Sequence, residues 1–383
     1  MKELSWDAVM AGRLTDQVLA EPGSVGEDPQ GVAERLIAVH AQVMAAAETA
    51  IALRTQSLTR REVAQACSEG RLIKTFGPRG TIHLVSAGTY PYLMQALAQV
   101  PRTPSSGIPP EARLSPEQAD ETAEAIGEVL KDQELTIDEM TPALVARLGS
   151  WAGDLVFPAW HGMWPRWRQL VGRASHEGVM CFGAPRGRLT TYTNPQRWLP
   201  AMRWPEGEES LRWLVECFLR LHSPATVEGF ANWLGGAPLG WTREVLALYP
   251  DCETVSFEGT KAIVHPQASC RTAATAPSGV HLLPYFDPYS YRVGNPSVER
   301  MYPGRARDRI VPGNHQTVVK DGQVVGLFHV KRSGKRMDLT VELVREDSKR
   351  LREEIDHASV RLGEVNGSAV RMAFGPVTSK GVS

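Results

Sequence analysis

Two polar side chains, His40 and Gln42, stand one residue apart in the otherwise apolar segment AVHAQVM, just ahead of an alanine-rich run. In an extended segment residues i and i+2 point to the same side, whereas on a helix they point to nearly opposite sides. An imidazole can donate, accept or take up a proton, and a carboxamide can donate and accept. Together the two groups could hold a water molecule for attack, or they could cap a helix or form a buried pair.

The length and composition of the chain predict a soluble globular protein. The sequence has 383 residues, with 42% hydrophobic and 22% charged side chains, which suits about two to four domains. No apolar run approaches the roughly 18 residues that a membrane span needs. The N-terminal MKELSWDAVM is too acidic and too broken for a signal peptide. We therefore expect a cytoplasmic protein without a membrane partner.

Neither cysteines nor known motifs predict a metal, a disulfide or a cofactor. The five cysteines are widely scattered, without a CxxC or a Cys/His cluster. The sequence also lacks a G-x-S-x-G elbow, a phosphate-binding P-loop and an H-E-x-x-H helix. The net charge of −1 does not by itself indicate a nucleic-acid binder, but residues 291–336 hold ten Arg or Lys against three Asp or Glu. A locally basic face can bind phosphates on a neutral protein.

One order of elements, three helices followed by a hairpin, is predicted three times along the chain. In the first segment the helices are predicted over 31–40, 43–53 and 58–70, with a hairpin over 71–86. In the second segment they are predicted over 115–132, 135–149 and 161–178, with a hairpin over 179–193. In the third segment they are predicted over 208–222, 223–235 and 237–250, with strands over 252–266.

This repeated order is typical of winged helix-turn-helix modules. After about residue 280 the pattern changes to short β-rich pieces, closed by a charged amphipathic helix over 345–363. Stretches rich in Pro, Gly and Ser predict linkers over 102–116 and 200–209. We therefore predict an α+β fold with three tandem winged helix-turn-helix units and a C-terminal small β-barrel or sheet module, divided into domains 1–100, 101–204, 205–280 and 281–383.

Winged-helix units favour duplex DNA as the partner, although such units also mediate protein contacts. Basic residues flank the hairpin tips at matching places of the repeat, Lys74 and Arg79 in the first segment and Arg186 and Arg188 in the second. A basic residue at a loop tip is more often solvated than bound. Its recurrence at the same place in two segments favours contacts to DNA.

A group of tryptophans in the second segment could offer a platform for stacking bases. Trp160 lies just before the helix predicted over 161–178, and Trp164 and Trp167 lie within it, all near His161. Aromatic platforms bind unpaired bases in several protein classes. Spacings of three and four residues place the tryptophans on one helix stripe, which favours a buried core role.

Several of these segments resemble one family, the AlkZ/AlkX-like bacterial DNA glycosylases. Residues 34–86, with the elements GRL, RG and HLV, look like the first winged helix of that family. Residues 282–295 and 309–326, with Asp-Pro-Tyr and Gly-Asn signatures, are similar to its C-terminal β module. The middle of the chain matches in layout. The family carries a catalytic motif Gln-apolar-Gln or Gln-apolar-Asp, which falls here on His40, Ala41 and Gln42.

The resemblance implies a monofunctional DNA glycosylase that excises N7-alkylated purines, unhooks crosslinks and leaves an abasic site, without a cofactor. His40 and Gln42 are then the catalytic residues, with His40 in place of the usual glutamine. Whether His40 acts as a general base or positions water stays open at this point. The expected substrate is double-stranded DNA, the expected state a monomer, and the expected location the cytoplasm, associated with the nucleoid.

Candidate phosphate contacts follow from the same resemblance and from the local charge. They are Arg54, Arg79 and the basic stretch 300–309, which includes Arg305 and Arg309. The alternative function is a non-catalytic transcriptional regulator, in which His40 and Gln42 only cap a helix. Such regulators usually bind two half-sites as a dimer. Nothing in the sequence resembles a dimerisation coiled coil, which disfavours this alternative.

Overall fold

The computed structural model describes residues 1–101, 108–159, 162–199, 203–273, 275–291, 298–345, 347–379 and 381. Residues 102–107 of the linker predicted over 102–116, and residues 200–202 of the linker predicted over 200–209, lie outside this range. Within the described residues helices and strands are mixed, in agreement with the predicted α+β composition. No helix among them combines the length and apolar character that crossing a bilayer requires.

The first hundred residues contain the sheet that carries His40. Their elements are β1 (Lys2–Leu4), α1 (Trp6–Asp16), α2 (Pro29–Arg35), β2 (Val39–His40), α3 (Met44–Ala52), α4 (Arg60–Ser68), β3 (Leu72–Phe76), β4 (Ile82–Ser86) and α5 (Tyr90–Ala98). The helix α4 begins with a capping box of Thr59 and Glu62, which satisfies backbone donors at the first turn. The strands β3 and β4 form the predicted antiparallel hairpin, and β2 pairs with β4.

The second and third segments repeat much of this order. The second contains α6 (Pro116–Leu130), β5 (Leu135–Thr136), α7 (Ile137–Leu148), β6 (Leu155–Pro158), β7 (Met163–Pro165), α8 (Val171–His176), β8 (Cys181–Phe182) and β9 (Thr191–Thr193). The third contains α9 (Gly207–His222), α10 (Val227–Trp233), α11 (Leu239–Leu246), β10 (Glu253–Phe257) and β11 (Thr260–Val264).

In each segment a short extended piece after the first helix pairs with the last strand of the hairpin. These pairs are β2 with β4, β5 with β9, and Ala225 with Ile263 in β11. The pairing ties the beginning of each segment to its end, so each segment closes on itself. It also places His40, at the end of β2, on the hairpin of the first segment.

The C-terminal module is a five-stranded sheet with one helix packed on it. Its elements are β12 (Val280–Leu283), α12 (Val298–Met301), α13 (Arg305–Ile310), β13 (Gln316–Lys320), β14 (Gln323–Ser333), β15 (Arg336–Leu343), α14 (Lys349–Val365) and β16 (Ala369–Phe374). The strand order follows the chain from β12 to β16, and only the last pair, β15 with β16, is parallel. Among the described strands β12 and β16 do not pair, so the module is an open half-barrel and the closed barrel is not formed.

The N-terminal residues pack against the far end of the chain. The strand β1 pairs in parallel with β10 of the third segment. Trp6 and Met10 share one apolar core with Val255, Tyr289 and Val319. Burial of each such side chain stabilises the fold by about 1.5–3 kcal/mol. This core therefore joins the beginning of the chain to the third segment and to the C-terminal module.

The helix predicted over 31–40 was wrong in its second half. The helix α2 ends at Arg35, and Ile37 takes a left-handed backbone conformation with φ 67°. The next residues, Val39 and His40, are strand. The ladder to β4 satisfies their backbone groups, so tertiary pairing outweighs local helix propensity.

The helix predicted over 161–178 was also wrong at its start. Residues Met163–Pro165 form a strand, a 3₁₀ turn follows, and α8 begins only at Val171. Pro165 lacks the backbone N–H that a continuing helix needs. Trp167 is fully buried, in agreement with its predicted core role. The guanidinium carbon of Arg168 lies 3.8 Å from the ring centroid of Trp164. Trp160 and His161 lie outside the described residues.

Candidate active site

The His40–Ala41–Gln42 segment lies where β2 ends and α3 begins. His40 is the direct cross-strand partner of His83 in β4. The backbone N–H of Ala41 donates to the carbonyl oxygen of Ile82 at 2.7 Å, which extends the ladder by one residue. Val43 is the extended residue before the first turn of α3. The backbone bonds fix His40 and Ala41, while the side chain of Gln42 is exposed to solvent.

The imidazole of His40 lies among aromatic rings and has only 7% of its surface exposed. The ring centroid of Phe286 is 4.2 Å away, that of His83 5.1 Å and that of Tyr291 6.1 Å. The Nδ1 atom is buried and has no hydrogen-bond partner among the described residues. The other ring nitrogen, Nε2, is therefore the atom that a water molecule can approach.

Both histidines are held in the neutral form. Burial, and secondly the positive charge of Arg79, lower the pKa of His40 from 6.5 to about 4. Burial, Arg79 and His40 together lower the pKa of His83 well below its usual value. The cause in each case is that the imidazolium would lose its hydration and face another positive charge.

A buried ion pair holds the segment that covers His40. The Arg54 guanidinium donates two hydrogen bonds of 2.9 Å to the carboxylate of Asp287, and both side chains have no exposed surface. Asp287 also accepts from the backbone N–H of Tyr289. Phe286, the residue before Asp287, has a positive φ of 60°. The ion pair therefore fixes the turn that places the Phe286 ring on His40.

The predicted DNA contact of Arg54 is corrected by this geometry. A guanidinium that is fully buried, and whose nitrogens bond Asp287, Gln17 and Ala50, cannot reach a phosphate. Arg54 instead joins α3 to the C-terminal part of the chain.

The basic residues of the first hairpin contact other segments of the protein. Lys74 lies in the strand β3, with its ammonium 5.0 Å from the ring of Phe182 in the second segment. Arg79 is at the tip and donates to the carbonyl oxygen of Trp233 in α10 at 3.1 Å. The structure thus places the tip of the first hairpin against the third segment.

The remaining predicted contacts differ in exposure. Arg188 and Arg305 are exposed. Arg186 is exposed too, but it forms an ion pair with Glu139 at 2.8 Å. Arg309 is half-buried and bonds the carboxylate of Glu342 at 2.9 and 3.0 Å. Of the arginines predicted to contact DNA, Arg188 and Arg305 are therefore the two that are exposed and have no carboxylate partner among the described residues.

A cleft of about 390 Å³ opens directly beside the motif, between α3 and the C-terminal sheet. Its wall begins at Val43, the neighbour of Gln42, and includes Tyr285, the neighbour of Phe286. Arg60 and Arg332 also line it. The cleft thus begins at the residue after Gln42, and of its two arginines Arg60 is paired with the carboxylate of Glu48 at 2.6 Å.

Comparisons with known proteins agree along most of the chain. The family model for AlkZ-like DNA glycosylases matches residues 33–365. The chain belongs to the AlkZ-like DNA glycosylase family. The interstrand DNA cross-link repair glycosylase of Streptomyces sahachiroi is 32% identical over 356 residues, 85% of this chain and 88% of that protein. The solved structure of the Streptomyces sahachiroi DNA glycosylase AlkZ has a TM-score of 0.80 and 27% identity, covering 97% of this chain and all of that one.

Membership in the AlkZ-like family identifies the protein as a DNA glycosylase, a hydrolase of N-glycosyl bonds. It favours the repair enzyme over the non-catalytic regulator. The match includes both the motif residues and the turn around Asp287. Among the described residues no three His, Cys, Asp or Glu side chains lie close enough to hold a metal ion together.

Sequence reasoning missed three side chains that surround His40 in this AlkZ-like protein, namely His83, Phe286 and Tyr291. All three lie in the segments 34–86 and 282–295 that resemble the family, but no sequence motif indicates a role for them. The alternation of the first hairpin could have indicated His83, because a residue facing β2 shares its side of the sheet. No sequence signal places Phe286 there, since it is 246 positions from His40.

Proposed function

We propose that this AlkZ-like protein is a monofunctional glycosylase that hydrolyses the N-glycosidic bond of N7-alkylated guanine or adenine in double-stranded DNA. The observation that carries the proposal is the His40–Ala41–Gln42 segment itself. A neutral, nearly buried imidazole and an exposed carboxamide lie at one strand end beside an open cleft. Two neutral polar groups suit a reaction that needs a positioned water more than it needs an acid.

The chemistry of the substrate explains why no strong acid is required. Alkylation at N7 places a positive charge on the purine, so the bond from C1′ to N9 is already weak. When that bond breaks, its electron pair goes to the base, which leaves neutral. Water adds to C1′ of the oxocarbenium-like sugar and loses a proton to solvent, which leaves an abasic site. The enzyme holds the water and stabilises the developing charge.

The two motif residues divide this task. The carboxamide oxygen of Gln42 accepts a hydrogen bond from the water and orients it. His40 is a poor general base, because a pKa of about 4 is roughly 2.5 units below that of an ordinary histidine. Its accessible Nε2 instead donates to the water oxygen. A glutamine at position 40 could donate a hydrogen bond to the water in the same way, through the N–H of its side-chain amide.

The buried Nδ1 atom supports this assignment. A neutral imidazole carries its proton on one nitrogen only. A buried N–H without a partner is rarer in proteins than a buried acceptor without one. Since Nδ1 is buried and unpartnered among the described residues, the proton belongs on Nε2. His40 is therefore a water-positioning donor in this proposal.

The substrate is a bulky adduct or an interstrand crosslink. The relative from Streptomyces sahachiroi is named for crosslink repair, and the cleft beside the motif is open. We propose the same class of lesion here, in repair or in self-resistance against a genotoxic natural product. The protein would act as a monomer on DNA in the cytoplasm, associated with the nucleoid.

The repeated element order supports three winged helix-turn-helix units that hold the duplex. We propose domains 1–100, 101–204, 205–280 and 281–383, with β1 and α1 attached to the third segment and the C-terminal sheet by their shared core. Arg188 and Arg305 are the proposed phosphate contacts, because they are exposed, and Arg186 joins them if DNA displaces Glu139. Lys74, Arg79 and Arg309 have partners within the protein.

The test is release of the base from a duplex that carries one N7-alkylguanine, scored as alkali-labile strand breaks. Wild type, His40→Ala and Gln42→Ala are compared, together with DNA binding by each. We expect the variants to lose base release by a factor of about 100 or more and to keep DNA binding. If the wild type releases neither small nor bulky N7 adducts, the proposed substrate class is wrong.

A further inference from the structure

The surroundings of His40 contain a second histidine whose protonation state the geometry determines. The Nδ1 atom of His83 lies 2.9 Å from the carbonyl oxygen of Thr81, and its Nε2 lies 3.4 Å from a guanidinium nitrogen of Arg79. An arginine only donates hydrogen bonds, and a carbonyl only accepts them. His83 is therefore neutral, with its proton on Nδ1 and a lone pair on Nε2.

His83 has little room to leave this position. It is 2% exposed, and a methyl group added to Gly77 would lie 2.9 Å from its Nδ1 atom. The centroid of its ring lies 5.1 Å from that of His40, and the two ring planes make an angle of 69°. On the other side of His40 the Phe286 ring lies at 4.2 Å. The imidazole of His40 is thus held between one fixed ring from β4 and another from the turn at Asp287.

Arg79 is held beside this pair by contacts to other parts of the chain. One nitrogen donates to the Trp233 carbonyl and another to His83, while the guanidinium lies 5.7 Å from the ring centroid of Tyr291. Its own φ is 61°, and a methyl group added to Gly235 would lie 3.0 Å from its Cα atom. The third segment and the turn of the first hairpin therefore fix where this positive charge lies.

We propose that His83 and Arg79 are positioning residues for His40, which hold its ring in one orientation beside a fixed cation so that Nε2 donates to the attacking water. The titratable and charged groups that face His40 are His83, Arg79 and Tyr291. This inference rests on the proposed function for its catalytic meaning. Its structural part, the state of the His40 ring, can be measured without catalysis.

The arrangement has a clear advantage for the proposed reaction. The sugar becomes positively charged as the base leaves, so an imidazolium next to it would oppose the transition state. Burial of His40, together with the fixed cation of Arg79, disfavours its protonation. The lone pair of His83 holds the Arg79 guanidinium in place and leaves its positive charge uncompensated. A carboxylate in the same position would neutralise that charge. A neutral imidazole can therefore serve where the family usually has a glutamine.

The experiment is an NMR titration of His40 in protein labelled at histidine Cε1, assigned by the loss of its signal in His40→Gln. It is recorded for wild type, Arg79→Met, Arg79→Lys and His83→Phe, and the pH dependence of single-turnover base release is measured on the same samples. The control is His265→Phe, since His265 is buried in the third segment and contacts Tyr249 and Ser223.

We expect the titration of His40 to move up by about one pH unit in Arg79→Met, because a nearby charge is removed, and to stay in place in Arg79→Lys. In His83→Phe we expect base release to fall roughly tenfold or more at neutral pH, from loss of orientation, with no such loss in His265→Phe. If Arg79→Met does not fold, Arg79→Gln replaces it, because an amide can still donate to the Trp233 carbonyl.

The outcomes separate this inference from the proposed function. An unchanged His40 titration in the uncharged Arg79 variant, or a wild-type rate in His83→Phe, overturns the positioning roles. If the His40 titration shifts in Arg79→Met but the protein releases no alkylated base, the fixed neutral ring is supported and the proposed substrate is contradicted. A shifted titration accompanied by an equal shift in the acid limb of the rate supports both.

Discussion

The state of His40 is tested by lowering the pH of the base-release reaction from 7.5 to 5.5. His40 is neutral above its pKa and charged below it, and that pKa is lowered from 6.5 to about 4. At pH 5.5 about 97% of such a group is neutral, against about 9% of a histidine with a pKa of 6.5. We therefore expect the single-turnover rate to change by less than about a tenth over this range and to fall only as the pH approaches 4.

The assay uses excess enzyme over a duplex with one N7-alkylguanine, and the uncatalysed depurination measured at each pH is subtracted. Circular dichroism at each pH shows that the protein stays folded. The matched control is His40→Gln, which has no titratable group at this position. We expect this variant to remain active, since it restores the usual family motif, and to show no acid limb near pH 4.

Two results would refute the reasoning. A rate that falls with a midpoint near pH 6.5 in wild type, and not in His40→Gln, would show that the ring is solvated and titrates normally. An acid limb shared by wild type and His40→Gln would show that another group controls the reaction.

Two further predictions concern the ion pair below the site and the DNA surface. Arg54→Met leaves Asp287 charged and buried, so we expect a loss of about 3–5 kcal/mol of unfolding free energy, measured by urea denaturation, and recovery of most of it in the double variant with Asp287→Leu. A single-variant loss below about 1 kcal/mol would contradict the buried pair. Arg188→Ala should reduce the slope of log affinity for duplex DNA against log salt by about one, whereas Arg173→Ala, whose guanidinium already pairs with carboxylates, should leave it unchanged. Equal slopes for all three proteins would remove Arg188 from the DNA contacts.

Local signals in the sequence predicted many of the elements and the motif. The capping residues Thr59 and Ser115 begin helices where they were expected, because the cap is a contact within one turn of the chain. The hairpins at residues 71–86 and 252–266 form as predicted. Local propensity failed over residues 36–40, where pairing with β4 replaced the last turn of the predicted helix.

For the basic residues too, local sequence signals and tertiary packing gave different answers. A position at a hairpin tip, as for Arg79, or the family resemblance, as for Arg54, predicted contacts to DNA, but the actual partners depend on which segments pack together. Arg79 meets the third segment, and Arg54 meets Asp287, 233 residues away. Contacts over such separations leave no periodic signal in one sequence, so burial of these cations could not be foreseen.

The sequence by itself determined that His40 and Gln42 stand together in a chain of the AlkZ-like kind, because a motif and its family resemblance are properties of residue order. Only the tertiary structure decided what His40 can do. Its low pKa arises from burial under Phe286 and from the charge of Arg79, and both neighbours come from other parts of the chain. Desolvation and Coulomb interactions depend on distance in space, which residue order does not specify.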